Sequence, residues 1–250
     1  MKTTNSKFVG INQITATEIK SNISNYFPTK DKLLTTFRQT TSLEDLIVFC
    51  INDYGAWKDA VLMGAGSYLK IGNYPDEIAE AKEYVKEEVY NYLTGTPFTN
   101  ADDFDAWHKN ICCALSNNSK HFQNYSEYRK SSKDNFKNKS GFTFGNAQKF
   151  LNMLMKDLYA CLNQNSSFLN DYEKYFTYCH MPLDSYILRF VDDIRNRENI
   201  EKSKRSWSWS NLTSYNDYIE EQKDIRNYVK KHNKDLTILQ TEFIVWPLYK

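Results

Sequence analysis

The chain has 250 residues, 41% of them hydrophobic and 15% aromatic, with a formal net charge of +1. That composition supports one large helical domain or two small ones and excludes a wholly disordered chain. No stretch approaches the roughly 18 to 20 uncharged apolar residues of a membrane span. Met1-Lys2-Thr3-Thr4-Asn5-Ser6-Lys7 leads into no signal-like run, so a cytoplasmic protein is expected.

Eight glycines and five prolines leave few breakers, and the apolar spacing is mostly that of helices. The expected fold is mainly α, a multi-helix bundle with few or no strands. Ser42-Leu43-Glu44-Asp45 reads as a capping box opening a first helix, Pro75 starts another that Gly95 ends, and Thr99 or Asn100 caps a third carrying Phe104, Trp107, Ile111 and Leu115. From Ser116 to Phe142 the chain is polar and rich in Ser, Asn and Lys, a candidate boundary between regions 1–119 and 120–250, although one continuous domain also fits. An amphipathic helix is expected from about Gly145 to Leu162, a second from about Ser167 to Tyr178, a turn at Met181-Pro182, a third helix from Ser185 to Ile194, and a last one opened by Ser214.

Charge is unevenly spread. Residues 120–149 hold 7 basic against 2 acidic side chains, whereas residues 150–250 hold 14 of each. Lys133, Lys137 and Lys139 alternate there with aromatic residues, a pattern suited to phosphate contact beside stacking surfaces, and a solvated linker is the bland alternative. Arg195, Arg197, Lys204 and Arg205 form a smaller basic group before Trp207 and Trp209, candidates to stack on a base. The five cysteines show no C-x-x-C pair and no histidines at zinc spacing, so free thiols and no metal are expected.

One pair of residues has catalytic character. Ala147, Phe150, Leu151, Leu154, Leu158 and Cys161 share one face of the Gly145–Leu162 helix, and Lys149 falls opposite them beside Asn152 and Lys156. Its bland reading is a solvated lysine, whose replacement by Ala would cost little stability. Placed in the first turn, its ammonium is disfavoured by the helix dipole, as a nucleophilic amine requires. A helix of about 18 residues spans ~27 Å, and a following one of about 12 residues returns ~18 Å if antiparallel. The extended residues 179–183 then bring Asp184 near Lys149. Asp184 also precedes Ser185-Tyr186-Ile187-Leu188 and suits a helix N-cap.

Gly145-Asn146-Ala147-Gln148-Lys149-Phe150, an apolar helix, and then Met181-Pro182-Leu183-Asp184-Ser185-Tyr186-Ile187 resemble the lysine-plus-aspartate segment of the helix-hairpin-helix DNA glycosylases. Among these the stretch is most similar to the archaeal 8-oxoguanine glycosylase type. It covers roughly residues 140–195. The resemblance implies a helix-hairpin-helix-glycosylase-like bundle, duplex DNA with a damaged or modified base as partner, Lys149 as nucleophile and Asp184 as its acidic partner. In that chemistry the base is rotated out of the duplex, the amine attacks the anomeric carbon, and a Schiff base opens the way to strand cleavage. Gly145 would belong to the hairpin that clamps the DNA backbone, and His180 would contact phosphate or base. Gly141 and Gly145 have three residues between them where the family's hairpin glycines flank one. The four-cysteine iron–sulfur loop of some members is absent, so no cofactor is expected, and the chain is expected to act as a monomer in repair or against foreign modified DNA. The competing reading is a non-catalytic helical module that binds nucleic acid or protein, in which Lys149 touches phosphate and Asp184 only caps. A structural protein whose basic segment is a plain linker is the third.

Overall fold

The computed structural model describes residues 11–26, 36–38, 40–61, 75–116, 142–164, 171–201 and 205–250. Nine α-helices follow one another among the described residues: α1 (Ala16–Tyr26), α2 (Leu43–Phe49), α3 (Ala56–Val61), α4 (Pro75–Thr94), α5 (Ala101–Leu115), α6 (Phe144–Asn163), α7 (Ser185–Glu198), α8 (Tyr215–His232) and α9 (Ile238–Tyr249). A π-turn, Cys50–Tyr54, extends α2, and short 3₁₀ turns occupy Ile11–Gln13, Glu173–Phe176 and Trp209–Asn211. No strand occurs among the described residues, and no helix among them is long and apolar enough to cross a membrane.

Local chemistry sets most helix starts. Ser42 accepts from the Asp45 N–H at 3.0 Å while the Asp45 carboxylate accepts from the Ser42 N–H at 3.2 Å, a reciprocal box that satisfies donors no intrahelical carbonyl reaches. Asn100 caps α5, Asp184 caps α7 and Ser214 caps α8, each accepting from the backbone of the first turn. Thr143 and Asn146 form a second box at the start of α6, and Thr237 with Gln240 a third at α9. Gly55 ends the π-turn at φ 120°, a backbone state that L side chains rarely adopt.

Helix α6 is the axis of the molecule. Helices α1, α2, α3 and α5 pack on it from the N-terminal half, and the Glu173–Phe176 and Trp209–Asn211 turns from the C-terminal half. Every residue from Phe144 to Leu162 is buried. The expected split between an apolar and a solvated face therefore fails, because the polar side of α6 meets other helices and not water. Helices α7, α8 and α9 pack on one another, and α9 reaches back to α1. One core cluster runs from Ile11 to Tyr249, so helices on both sides of the expected boundary share it. The boundary itself falls on residues 117–141, outside the described residues, as do Lys133, Lys137, Lys139 and Lys204.

Several elements differ from the sequence reading, which did not anticipate α1 or α3. Of the helix expected from about Ser167 to Tyr178, Asp171 and Tyr172 are α-helical and continue into the 3₁₀ turn Glu173–Phe176, with 165–170 outside the described residues. Helix α9 was not anticipated: it is apolar on nearly all sides and carries Pro247, so it lacks the one-sided pattern that marks a surface helix.

Candidate active site around Lys149 and Asp184

Lys149 and Asp184 meet. The Lys149 ammonium donates to Asp184 Oδ2 at 2.9 Å. Asp184 Oδ1 accepts from the N–H groups of Tyr186 and Ile187, both at 2.9 Å, so one oxygen caps α7 while the other holds the lysine. The Trp246 indole N–H also donates to Oδ2, at 3.2 Å. Because α6 begins at Phe144, Lys149 lies in its second turn, beyond the free N–H groups of the first. Its side chain leans toward the helix N-terminus, as helical side chains do, and this carries the amine to the start of α7.

The pair is nearly closed off from solvent: Lys149 is 7% and Asp184 8% exposed. Burial alone would raise the Asp184 carboxyl, but the Lys149 ammonium and the capping N–H groups outweigh it and hold the group below the usual carboxylate range. Half-buried Asp59, on α3, faces the same charges; burial raises its carboxyl, opposed chiefly by Lys149.

A second ion pair lies two turns further along α6. The Lys156 ammonium donates to Glu242 Oε1 at 2.6 Å and sits 4.3 Å from the ring centre of Tyr26, 5.3 Å from that of Phe243 and 5.1 Å from that of Trp246. Lys156 and Glu242 are each 1% exposed, and Glu242 Oε2 has no hydrogen-bond partner. Burial raises the Glu242 carboxyl against the pull of Lys156. The next residue, Asp157, is also pushed up by burial, with a 2.7 Å hydrogen bond from the Tyr26 hydroxyl acting against it.

Asp184 owes its position to side-chain amides. Residues 179–184 belong to no helix or turn, so their backbone groups need other partners. Gln148 accepts from the Leu183 N–H at 3.1 Å and donates to the Leu183 carbonyl at 3.0 Å. Gln222 does the same for Met181, accepting from its N–H at 3.2 Å and donating to its carbonyl at 2.7 Å. Asn152 joins Gln148 to the Tyr218 hydroxyl, donating to them at 3.1 Å and 2.9 Å.

His180 is completely buried in this network and is not presented to a ligand. Its Nε2 lies 2.8 Å from Asp105 Oδ1 and its Nδ1 2.8 Å from the Tyr218 hydroxyl, while Arg226 grips Asp105 in a two-pronged contact of 2.7 and 3.2 Å. Burial lowers the His180 imidazole despite the raising effect of Asp105, and it drives His108 well down beside it. Burial would raise Asp105, but His180 and Arg226 overcome this and hold it far below the usual range.

Most of the other predicted contact residues that are described are likewise engaged within the protein. The Gly145 N–H donates to the Leu212 carbonyl at 2.9 Å, and a Cβ there would lie 1.7 Å from the Trp209 carbonyl oxygen. Gly145 thus permits a close helix-to-turn contact, and its N–H is not free to clamp a DNA phosphate. Buried Arg195 pairs with Glu221 at 3.0 Å and Asp224 at 2.8 Å. Arg205 pairs with Glu221 at 2.9 Å and Asp192 at 2.6 Å, and its guanidinium stands 6.0 Å from the Trp207 ring centre. Arg197 lies near the end of α7 and is exposed. Trp207 and Trp209 are half-buried and pack against the core, as does Trp107 in an aromatic cluster with Tyr92, Phe98 and Phe104. No group of three or more His, Cys, Asp and Glu among the described residues is placed to hold a metal ion.

The sequence reading missed Asp59, Glu242 and Trp246. The Thr237-Ile238-Leu239-Gln240 box before an apolar run was the available signal for α9, and a glutamate inside such a run calls for a buried partner. No family model matches the chain, and neither does any curated protein or solved structure.

Proposed function

We propose that the chain is a DNA glycosylase that excises a damaged or modified base, with Lys149 as the attacking amine and Asp184 as its acid–base partner. The observation that carries this reading is the 2.9 Å contact between the Lys149 amine and a carboxylate rigidly held as a helix cap. The amine attacks the anomeric carbon, the glycosidic C–N bond breaks, and the base departs with the bonding electrons. Asp184 Oδ2 is the acceptor for the ammonium proton that must leave before attack; the departing base takes that proton up, and the carboxylate so restored offsets the positive charge left on the lysine–sugar adduct. With both groups this enclosed, substrate reaches them only after the cover that includes Trp246 shifts.

The test is borohydride trapping on duplexes carrying oxidised, deaminated and hypermodified bases. Wild-type protein is expected to give a covalent complex with at least one, and Lys149→Gln and Lys149→Arg none. Base release without trapping would assign the attack to water and leave Asp184 as the principal residue.

A specific observation favours a second reading, a non-catalytic helical binding module. Lys156, on the same helix as Lys149, forms a still more buried pair with Glu242 of α9, so α6 carries a second lysine–carboxylate pair that joins it to another helix. In that reading Lys149–Asp184 is one more such structural pair. No base release from any member of the panel would select it.

A further inference from the structure

We propose that Cys50 and Cys161 are a reversible dithiol–disulfide pair, oxidised by a small hydroperoxide that enters through the cavity beside Cys161. Their Sγ atoms lie 3.8 Å apart across 111 positions of sequence, and both residues are buried. A disulfide needs an S–S separation of about 2.05 Å, so the sulfurs must close by roughly 1.8 Å, within reach of side-chain rotation and a slight helix shift. Cys50, itself in ordinary α-helical backbone geometry, opens the π-turn Cys50–Tyr54.

The route in is asymmetric. A cavity of about 330 Å³ is lined by Phe37, Leu46, Cys161, Leu162 and Tyr172, with exposed Arg38 at its rim; Cys50 is not part of the lining. It lies some twelve residues along α6 from Lys149, ~18 Å at the helical rise, and is separate from the site described above. A peroxide entering there meets Cys161 first. Cys50, 3.8 Å from it and outside the lining, is placed to serve as the second, resolving thiol.

The steps balance. The Cys161 sulfur takes the distal oxygen of the hydroperoxide as the O–O bond breaks, giving a sulfenic acid and an alcohol. The Cys50 sulfur then attacks the sulfenyl sulfur, the S–O bond breaks, and the Cys50 proton leaves with the hydroxyl as water. Two electrons pass from the two thiols to the peroxide. A thiol reductant reverses the bond by exchange.

The experiment uses the full chain carrying Cys113→Ser, since Cys113 is exposed and reacts on its own. Folded protein is treated with tert-butyl hydroperoxide, alkylated, digested and mapped by mass. A peptide joining Cys50 to Cys161, lighter by two hydrogens and released by dithiothreitol, is expected. Cys50→Ala should leave Cys161 as a sulfenic acid that dimedone captures, and Cys161→Ala should leave Cys50 unmodified. Filling the cavity by Leu46→Phe, or by Leu43→Trp from a half-buried position, should slow linkage about tenfold, because access governs buried thiols. Absence of the joined peptide overturns the proposal. So does wild-type reactivity of Cys50 in Cys161→Ala, or an unchanged rate in a folded cavity-filled variant.

Discussion

Lys156→Met removes the ammonium from the most enclosed ion pair among the described residues and keeps most of the side chain's volume. Glu242, 1% exposed, is then left without the 2.6 Å contact that serves one oxygen, and its other oxygen already has no partner. Breaking a buried pair in this way costs about 3–5 kcal/mol, since the remaining charge keeps its desolvation penalty. At about 2–4 °C per kcal/mol for a chain of this size, the melting temperature should fall by roughly 6–20 °C at pH 8. The cost depends on pH with a definite sign. Burial holds the folded Glu242 carboxyl above its unfolded value, and loss of Lys156 raises it further. The folded state therefore takes up a proton before the unfolded state does. The penalty, measured against wild type at each pH, is full above the folded pKa and shrinks as pH falls through it. Urea unfolding at pH 8 and pH 5 measures both quantities. Lys156→Met with Glu242→Leu should recover most of the loss, because a well-packed apolar pair replaces a buried ionic one at little cost. A penalty under about 1 kcal/mol at pH 8, or one that grows on acidification, would refute the reasoning.

Asp184→Asn keeps an acceptor for the Tyr186 and Ile187 N–H groups but removes the charge facing Lys149; denaturation should show a loss of about 1–3 kcal/mol, and base release should disappear. Lys149→Ala, expected from sequence to be nearly silent, should instead lower stability measurably by leaving Asp184 without its ammonium, which a melting curve will show. Gly145→Ala places a methyl group against the Trp209 carbonyl, backbone on backbone, and should cost about 3 kcal/mol or more or prevent folding, read by circular dichroism. His108 is buried with its imidazole driven well down, so the unfolded chain takes up its proton first and stability falls as pH drops below about 6.5. His108→Gln should flatten that part of the stability–pH curve, and an unchanged slope would place the proton uptake elsewhere.

Helix starts were legible because caps are local: Ser42, Asn100, Asp184 and Ser214 each act on a backbone N–H within three positions of themselves. The meeting of Lys149 with Asp184 was expected from a return helix of about 12 residues; the contact is present, but the described part of that return is two helical residues and a 3₁₀ turn, so helical rise alone does not account for it. The surroundings of the pair were not legible. Lys156 finds its carboxylate 86 residues away and Asp157 its tyrosine 131 away, and no periodicity encodes such partners. A polar stripe on α6 reads as solvated until the helices that cover it are in place. Gly145 resembles a hairpin glycine in sequence because its real reason, the close approach of Trp209, lies 64 positions downstream.

The amides that hold residues 180–184 bear on how this stretch exchanges hydrogen with solvent. Coil amides ordinarily exchange fast. Here the Met181 and Leu183 N–H groups are buried and bound by Gln222 and Gln148, and Pro182 between them has none to exchange. Their deuterium uptake should track global unfolding, at the pace of the α6 interior, so that an unstructured segment joins the slowest-exchanging part of the molecule. Gln148→Ala would free the Leu183 amide first, and the rate at which Leu183 labels would then time the loosening of Asp184 from Lys149.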